Sequence, residues 1–357
     1  MPLRTPDLPL ATPLVSVIIP AYNAGELLAA AIDSVLIQTY ENLEVWIVDD
    51  GSTDNTSEVA ADFARRFPWI RVLTQPNAGV GAARNLGIAA ATGAYIAPLD
   101  ADDIWFPDKI RRQVDCLERG GEHVGFCYCW SKAVAPDGEV RQPIWHWPVR
   151  GRAFQSLIYR NFVGNASVPM FRATVLREVG GYLTRDEQGG GQGCEDWDIT
   201  LRIAAKHFVE EVPEYLSGYR LAMSTMTSDI SSMAKSYEHL IASLRTRHRD
   251  LPEALYHWSA GHFYLYLLNI SYAAADYPAC WNLLRKLLRA DRAALLSPTL
   301  YRILVMTMIR TITGPDFLRR KTDEAPLDDG RPTPLIWRPS HRIEARRWAA
   351  VQEWDRK

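Results

Sequence analysis

Carboxylates follow directly after two apolar runs of the chain, and a third acidic group follows a run of glycines. They are Asp49 and Asp50 after the run 45–48, Asp100, Asp102 and Asp103 after the run 95–99, and Glu195 and Asp196 after residues 189–193. Mg²⁺ and Mn²⁺ prefer oxygen ligands and are often held by one or two carboxylates together with phosphate oxygens. The spacing Asp100-x-Asp102 therefore suits a divalent cation, although aspartate is also common in turns and at helix starts.

The third acidic group has two interpretations. A positioned carboxylate can remove the proton of an attacking hydroxyl, so Asp196 and Glu195 are candidates for general-base chemistry. Acidic residues also complement the dipole at a helix N-terminus, which needs no chemistry. The glycine-rich stretch 189–193 before them predicts a mobile segment, either a lid over the site or a plain surface loop.

The elements that would carry these residues alternate between strand and helix patterns over the first hundred residues. Short connections between them predict an α/β, Rossmann-like, mostly parallel sheet flanked by helices. Ligands of such sheets bind beyond the carboxyl ends of the strands. Because both aspartate clusters follow strands, we expect them to share a cation or nucleotide site at that edge.

Beyond about residue 224 the pattern becomes helical. Apolar residues around Trp258 and Leu265, and again around Leu283 and Leu287, predict a helical hairpin. The segment after Gly314 is rich in Arg, Pro and Asp, and part of it is predicted to be disordered. We therefore predict a catalytic domain over residues 1–223, a helical C-terminal region over 224–314 and an Arg/Pro-rich tail over 315–357.

Composition limits the classes of partner and compartment. A formal net charge of −2 argues against nucleic acid as the main partner. Five cysteines without framework spacing predict free thiols in a reducing compartment. With no signal-peptide core and no run near the ~20 apolar residues of a membrane span, a cytoplasmic protein is expected. The basic residues Arg310, Arg319, Arg320 and Lys321 raise a second hypothesis, peripheral contact with the inner face of a membrane.

Five motifs, in order along the chain, resemble glycosyltransferase family 2. They are Val15–Asn23, Ser34–Tyr40, Val48–Thr56, Asn77–Ile88 and Leu99–Asp103. The resemblance is specific from Val15 to Asp103 and continues more loosely to about Arg220. It implies an A-type glycosyltransferase fold and an inverting hexosyltransferase that takes a nucleotide-diphospho-sugar, with Mg²⁺ or Mn²⁺ as cofactor.

The resemblance also implies roles for individual residues. Pro20, Ala21 and Tyr22 would edge the nucleoside pocket, and Asp49 or Asp50 would accept a hydrogen bond from the base, with N3–H of uracil favoured. Arg84 would approach the base or diphosphate, Asp100 the ribose and the metal, Asp102 the metal, and Arg220 the diphosphate. Asp196 would be the catalytic base, with Glu195 orienting it or touching the acceptor. Without the motif, Arg84 would be interpreted as a solvated helix-face arginine.

The acceptor is predicted to be a glycan or a lipid-linked molecule in polysaccharide, lipopolysaccharide or glycoconjugate biosynthesis. The sequence lacks the Gln-x-x-Arg-Trp motif of processive members, and Gly218-Tyr219-Arg220 occupies the region where single-transfer members often carry a lone arginine, so addition of a single sugar is favoured. The aromatic segment 145–147 could stack on a sugar or belong to the core. Two other functions remain open: a sugar nucleotidyltransferase, and a non-catalytic protein that binds nucleotide-sugar or scaffolds other enzymes.

Overall fold

One mixed sheet organises the first 220 residues. The structure is a computed structural model that describes residues 12–144, 146–220, 229–296, 300–301, 303–305, 307–308 and 341–356, and within them nine strands form this sheet. The strands are β1 Val15–Ala21, β2 Leu43–Asp49, β3 Ile70–Thr74, β4 Tyr95–Pro98, β5 Ile104–Trp105, β6 Val124–Val134, β7 Val140–Pro143, β8 Met170–Arg172 and β9 Phe208–Arg220. Their order is β3-β2-β1-β4-β8-β6-β9-β5, and β7 pairs with β6.

The N-terminal half of the sheet is parallel, as the alternating pattern predicted. β1 pairs in parallel with β2 and β4, and β2 with β3. Every residue of β1 is buried, which is expected of a strand covered by helices on both faces. Beyond β4 the sheet is mixed: β8 is antiparallel to both β4 and β6, and β9 is parallel to β6. The carboxyl ends of β1, β2, β4, β6 and β9 therefore lie at one edge.

Helices cover the sheet and continue beyond it. Their bounds are α1 Leu28–Leu36, α2 Thr56–Arg66, α3 Val80–Ala90, α4 Lys109–Gly120, α5 Phe154–Tyr159, α6 Ala173–Glu178, α7 Glu195–Ala204, α8 Ile230–Arg247, α9 Glu253–Ala273, α10 Tyr277–Ala290 and α11 His341–Arg356. The helix α3 packs on β1 and β2. A Cβ atom at Gly87 would lie 2.6 Å from Ile18, so this glycine permits the close approach. None of the helices that the structure describes is long and apolar enough to cross a bilayer.

The C-terminal region contains the predicted helical hairpin and one element that the sequence did not predict. α9 packs against α10, whose start is capped by the side chain of Asp276. The unpredicted element is α11, which packs against α5 of the sheet domain. Its Asp355 accepts hydrogen bonds from the backbone N–H groups of Gln155 and Ser156. Arg310, Arg319, Arg320 and Lys321 lie outside the described residues, and the predicted domain boundaries stay a prediction.

Candidate active site

A turn after β4 presents the first acidic cluster at the carboxyl edge of the sheet. Asp103 is buried in this turn, where its two carboxylate oxygens accept hydrogen bonds from the backbone N–H of Arg220 (3.0 Å) and from the Ser167 hydroxyl (2.6 Å). These bonds tie the turn to β9 and to the segment before β8. Asp103 therefore anchors the turn while Asp100 and Asp102 keep partial exposure. The sequence motif that contains Asp103 predicted no role for it.

Arg84 connects the first acidic cluster to the second. From the middle of α3 its guanidinium donates to Asp100 Oδ1 at 2.5 Å and to Glu195 Oε1 at 3.2 Å. Only 1% of its side chain is exposed, and the Tyr182 ring lies 5.1 Å from its Cζ. Burial excludes the alternative of a solvated helix-face arginine. Residues 84, 100 and 195, widely separated along the chain, therefore meet in one ion-paired network.

The second acidic cluster opens helix α7, and its two carboxylates differ. Glu195 is buried and accepts hydrogen bonds from Arg84 and from the backbone N–H of Gly193 (2.8 Å). Asp196 is half-buried and accepts a hydrogen bond from the N–H of Trp197. Burial, together with the charge of Glu195, raises the pKa of Asp196 to about 7. A carboxylate that titrates near neutral pH is suited to take up a proton.

Asp102 is the half-buried carboxylate of the first cluster. Burial raises its pKa to about 6, and the charge of Asp100 adds to the effect. No group of three or more His, Cys, Asp or Glu side chains arranged for a metal occurs among the residues described. Two carboxylates are, however, the usual protein contribution when substrate phosphates complete the coordination of Mg²⁺. Asp100 and Asp102 fit a cation of that kind.

The predicted nucleoside edge lies where β1 and β2 end. β1 ends with Pro20 and Ala21, and Tyr22 just beyond it has 52% of its surface exposed. Asn23, with φ of +49°, joins the two loops: its side-chain oxygen accepts a hydrogen bond from the N–H of Thr53, and its own N–H donates to Ser52. An exposed phenol ring at this edge is available for stacking on a planar base.

Asp49 and Asp50 are both buried and already hydrogen-bonded within the protein. Asp49 accepts from the backbone N–H of Ser52 and from the Ser57 hydroxyl. Asp50 accepts from the Gln75 amide and from the N–H groups of Ala78 and Gly79, at the start of α3. A carboxylate has about four acceptor positions, so each retains room for one more donor. Recognition of a base by either residue stays a prediction.

The three acidic sites are neighbours in space. Asp50 holds the N–H of Gly79, which immediately precedes the helix that carries Arg84. A Cβ atom at Gly79 would lie 3.3 Å from the side-chain oxygen of Gln192, three residues before Glu195. The loop fixed by Asp50 therefore borders the segment that leads into the second acidic cluster.

Arg220 ends β9 beside the first cluster. Its guanidinium donates to the backbone carbonyls of Asp102 (2.8 Å), Ala135 (3.1 Å) and Pro136 (3.2 Å). These three bonds fix the side chain next to the Asp102 backbone. A contact between Arg220 and a diphosphate stays a prediction.

The aromatic segment 145–147 is divided between two surroundings. His146 stacks on Trp130 with ring centroids 3.5 Å apart, and Trp147 packs on Trp348 of α11 at 5.0 Å. Trp145 lies outside the described residues. Trp147 therefore belongs to the contact with the C-terminal helix, and His146 lies beside aromatic rings of β6 and β9.

Parts of the chain are similar in sequence to known proteins. Residues 16–180 match Glycosyl transferase family 2. An uncharacterized glycosyltransferase of Rickettsia felis is 34% identical over 213 residues, which are 60% of this chain and 34% of that protein. The chondroitin synthase of Pasteurella multocida is 38% identical over 138 residues, 38% of this chain and 14% of the synthase. The chain thus spans about a third or less of the length of these two relatives.

The fold is also found in a solved structure. Staphylococcus aureus TarS 1-349 in complex with UDP superposes with a TM-score of 0.56 at 16% identity, covering 86% of this chain and 91% of that one. At this identity the similarity establishes the A-type glycosyltransferase fold and nothing finer. The sequence match places residues 16–180 of the chain in glycosyltransferase family 2.

Proposed function

We propose that this protein transfers a single sugar from a nucleotide diphosphate, with a UDP-sugar as the favoured donor, to an acceptor hydroxyl with inversion at the anomeric carbon. The observation that carries the proposal is the Arg84 guanidinium, which bonds Asp100 and Glu195 together. Through this arginine and its partner Glu195, the carboxylates suited to a cation, Asp100 and Asp102, border the same site as Asp196, the carboxylate suited to take up a proton. The metal-dependent, inverting transfer proposed here needs these two functions side by side.

The donor would bind at the carboxyl edge of the sheet. Tyr22 offers an exposed ring to the base, and a carboxylate of the pair Asp49 and Asp50 can accept the N3–H of uracil because it only accepts hydrogen bonds. Asp102 and Asp100 would hold Mg²⁺ or Mn²⁺. When bound, such an ion neutralises negative charge on the departing diphosphate.

Asp196 would remove the proton of the acceptor hydroxyl as its oxygen bonds to the anomeric carbon. The bond from that carbon to the diphosphate breaks in the same displacement, so one base suffices and the configuration inverts. Burial and the neighbouring carboxylate of Glu195, which Arg84 and the N–H of Gly193 hold in place, raise the pKa of Asp196. The half-exposed position of Asp196 leaves it open to an acceptor.

The acceptor class and setting are also part of the proposal. Gly218-Tyr219-Arg220 in place of the processive motif favours addition of one sugar to a glycan or lipid-linked acceptor. A cytoplasmic site of action, at the inner face of a membrane for a lipid-linked acceptor, would give access to nucleotide-sugars. We place the reaction in the biosynthesis of polysaccharide, lipopolysaccharide or another glycoconjugate.

A donor screen tests the proposal and its two competitors. UDP-, GDP- and dTDP-sugars are incubated with the full chain and Mn²⁺ or Mg²⁺, and release of nucleoside diphosphate is measured with and without chelator. We expect metal-dependent release of UDP. Formation of pyrophosphate from a sugar phosphate and UTP would instead indicate a nucleotidyltransferase. Binding without any turnover would indicate a non-catalytic protein.

A further inference from the structure

The glycine-rich segment before Asp196 and the tryptophan after it both contact helix α8 of the C-terminal region. We propose that α8 positions the catalytic base: by holding the chain on both sides of Asp196, it fixes the carboxylate relative to Arg84 and the donor. The inference rests on the proposed function and assigns to Ser232, Ser236 and Tyr237 the role of positioning residues.

Hydrogen bonds hold the chain before Asp196. The buried Ser236 hydroxyl donates to the side-chain oxygen of Gln188 at 2.6 Å, and Gln188 in turn donates to the carbonyl of Leu183 at 3.1 Å. The backbone N–H of Gln192 donates to the Ser232 hydroxyl at 3.0 Å. The stretch 189–193, which the sequence predicted to be mobile, is thus attached to α8 at Gln192, and the residue before it, Gln188, is attached as well.

Gly191 brings this segment against the helix backbone. A Cβ atom at this position would lie 2.6 Å from the backbone nitrogen of Ser236 and 2.8 Å from the carbonyl oxygen of Ser232. Backbone atoms inside a helix cannot move aside cheaply. Its φ lies outside the left-handed region, so the close approach, and not the backbone conformation, is what requires glycine here.

Aromatic stacking holds the chain after Asp196. The Trp197 ring stacks on Tyr237 of α8 with centroids 5.7 Å apart, and Tyr237 stacks on Phe263 of α9 at 3.9 Å. The hydroxyl of Tyr237 donates to Ser259 of α9 at 2.9 Å. Stacked pairs of this kind contribute beyond the area they bury, so α7 is fixed to α8 and, through it, to α9 one residue beyond the base.

Glu195 links the attached segment 188–193 to the ion-paired network around Arg84. The N–H of Gly193 donates to one carboxylate oxygen of Glu195, whose other oxygen accepts from Arg84. Displacing residues 188–193 from α8 would therefore disturb the carboxylates around Asp196. The nucleoside edge lies on the loops after β1 and β2, so donor affinity should change much less than turnover.

Substitution of Gly191 tests this separation. In Gly191→Ala the new Cβ must push the segment off α8, and we expect the turnover number for hydrolysis of the UDP-sugar cleaved fastest by the full chain to fall about tenfold or more. The KM for that donor should stay within about twofold. The control is Gly190→Ala in the same segment, which adds backbone strain at φ of +79° but whose Cβ would meet nothing within 4 Å.

Ser236→Ala is a milder variant that decides the question should Gly191→Ala fail to fold. It removes one hydroxyl, and we expect about a fivefold loss of turnover at unchanged KM, the effect of one hydrogen bond. Ser231→Ala, at an exposed serine of the same helix, is its control. Faster hydrogen exchange over residues 188–194 in both test variants would accompany the loss.

Unchanged turnover in Gly191→Ala and Ser236→Ala, a loss confined to KM, or equal losses in the control variants would overturn the inference. Failure of the proposed function is recognised separately. In that case the unsubstituted chain hydrolyses no nucleotide-sugar, or Asp196→Asn retains full turnover, whatever the variants of α8 and its partners do.

Discussion

The two acidic clusters at the carboxyl edge of the sheet contain the same kind of side chain in different surroundings. Arg84 forms an ion pair with one carboxylate in each, Asp100 in the first and Glu195 in the second. One half-buried carboxylate of each cluster is left without that ion pair: Asp102 beside two other aspartates, and Asp196 beside one glutamate. A single arginine thus serves both clusters.

The difference lies in how much negative charge each position collects. Asp102 shares its turn with Asp100 and Asp103, and this density of carboxylate oxygens suits a divalent cation. Asp196 stands at the start of helix α7, where burial and the charge of Glu195 raise its pKa to about 7, a value that suits transfer of a proton. Pairs of titratable groups with contrasting surroundings commonly mark separate tasks in one site. Substitutions of Asp102 and Asp196 should therefore impair different properties: metal-dependent binding for Asp102 and turnover for Asp196.

The largest effect is expected at the first cluster. Asp102→Ala removes a carboxylate proposed as a metal ligand, so metal-dependent binding of UDP should be lost, with Kd rising about 100-fold or more. Titration calorimetry of UDP with and without Mn²⁺ measures it. Asp33→Ala, at an exposed aspartate of α1, should keep the affinity of the unsubstituted chain. Full metal-dependent affinity in Asp102→Ala would remove this residue from the metal site.

A substitution in the second cluster should lower the turnover number and leave the affinity for the donor nearly unchanged. Asp196→Asn keeps the size and one acceptor oxygen of the side chain but cannot take a proton at neutral pH. We expect turnover to fall about 100-fold or more while Kd for the donor stays within about twofold. Steady-state kinetics combined with donor titration measure both quantities.

A pH profile provides the control for this variant. Because a base must be ionised, kcat/KM of the unsubstituted chain should fall below about pH 7, where Asp196 takes up a proton. The residual activity of Asp196→Asn should lack that limb. Substantial activity in Asp196→Asn, or an unchanged acid limb, would show that another group is the base.

The positions of the aspartates at the strand ends could be predicted from sequence, because they depend on residues that are close to one another in the chain. Asp49, Asp50, Asp100 and Asp102 follow short buried strands within a few residues, and parallel strands bring such ends to one edge whatever the loops do. The side-chain network could not be predicted. Arg84 and Glu195 are 111 residues apart, and nothing in either neighbourhood marks them as partners. The burial of Arg84 depends on that ion pair, so it could not be predicted from the sequence either.

The C-terminal half was predicted less well because its contacts are distant and carry no motif. The glycine run 189–193 has no structural preference of its own, and its attachment depends on Ser232 and Ser236 in a separate helix. The Arg- and Pro-rich composition of residues 315–357 predicted partial disorder, so the helix α11 was not predicted. That helix is held by partners elsewhere, since Asp355 caps α5 some 200 residues earlier and Arg347 pairs with Asp291.

The smallest expected effect concerns stability and sharpens the contrast between the clusters. The pKa of Asp196 is raised from 3.8 to about 7 in the folded chain, so ionisation of this carboxylate opposes folding. The folded state holds the proton that the unfolded state has released between about pH 4 and 7, and stability is lost as the pH rises through that window. Asp196→Asn removes the penalty while keeping an acceptor for the Trp197 N–H.

At pH 8 we therefore expect Asp196→Asn to be more stable than the unsubstituted chain by about 1–2 kcal/mol, a value reduced for the partial exposure of the side chain. Thermal melts should show a Tm higher by a few degrees, about 2–4 °C. The gap should close below about pH 3, where the unsubstituted carboxyl is neutral in both states. A gap that is independent of pH, or a less stable variant at pH 8, would show that Asp196 is not a strained carboxylate held in place for its chemistry.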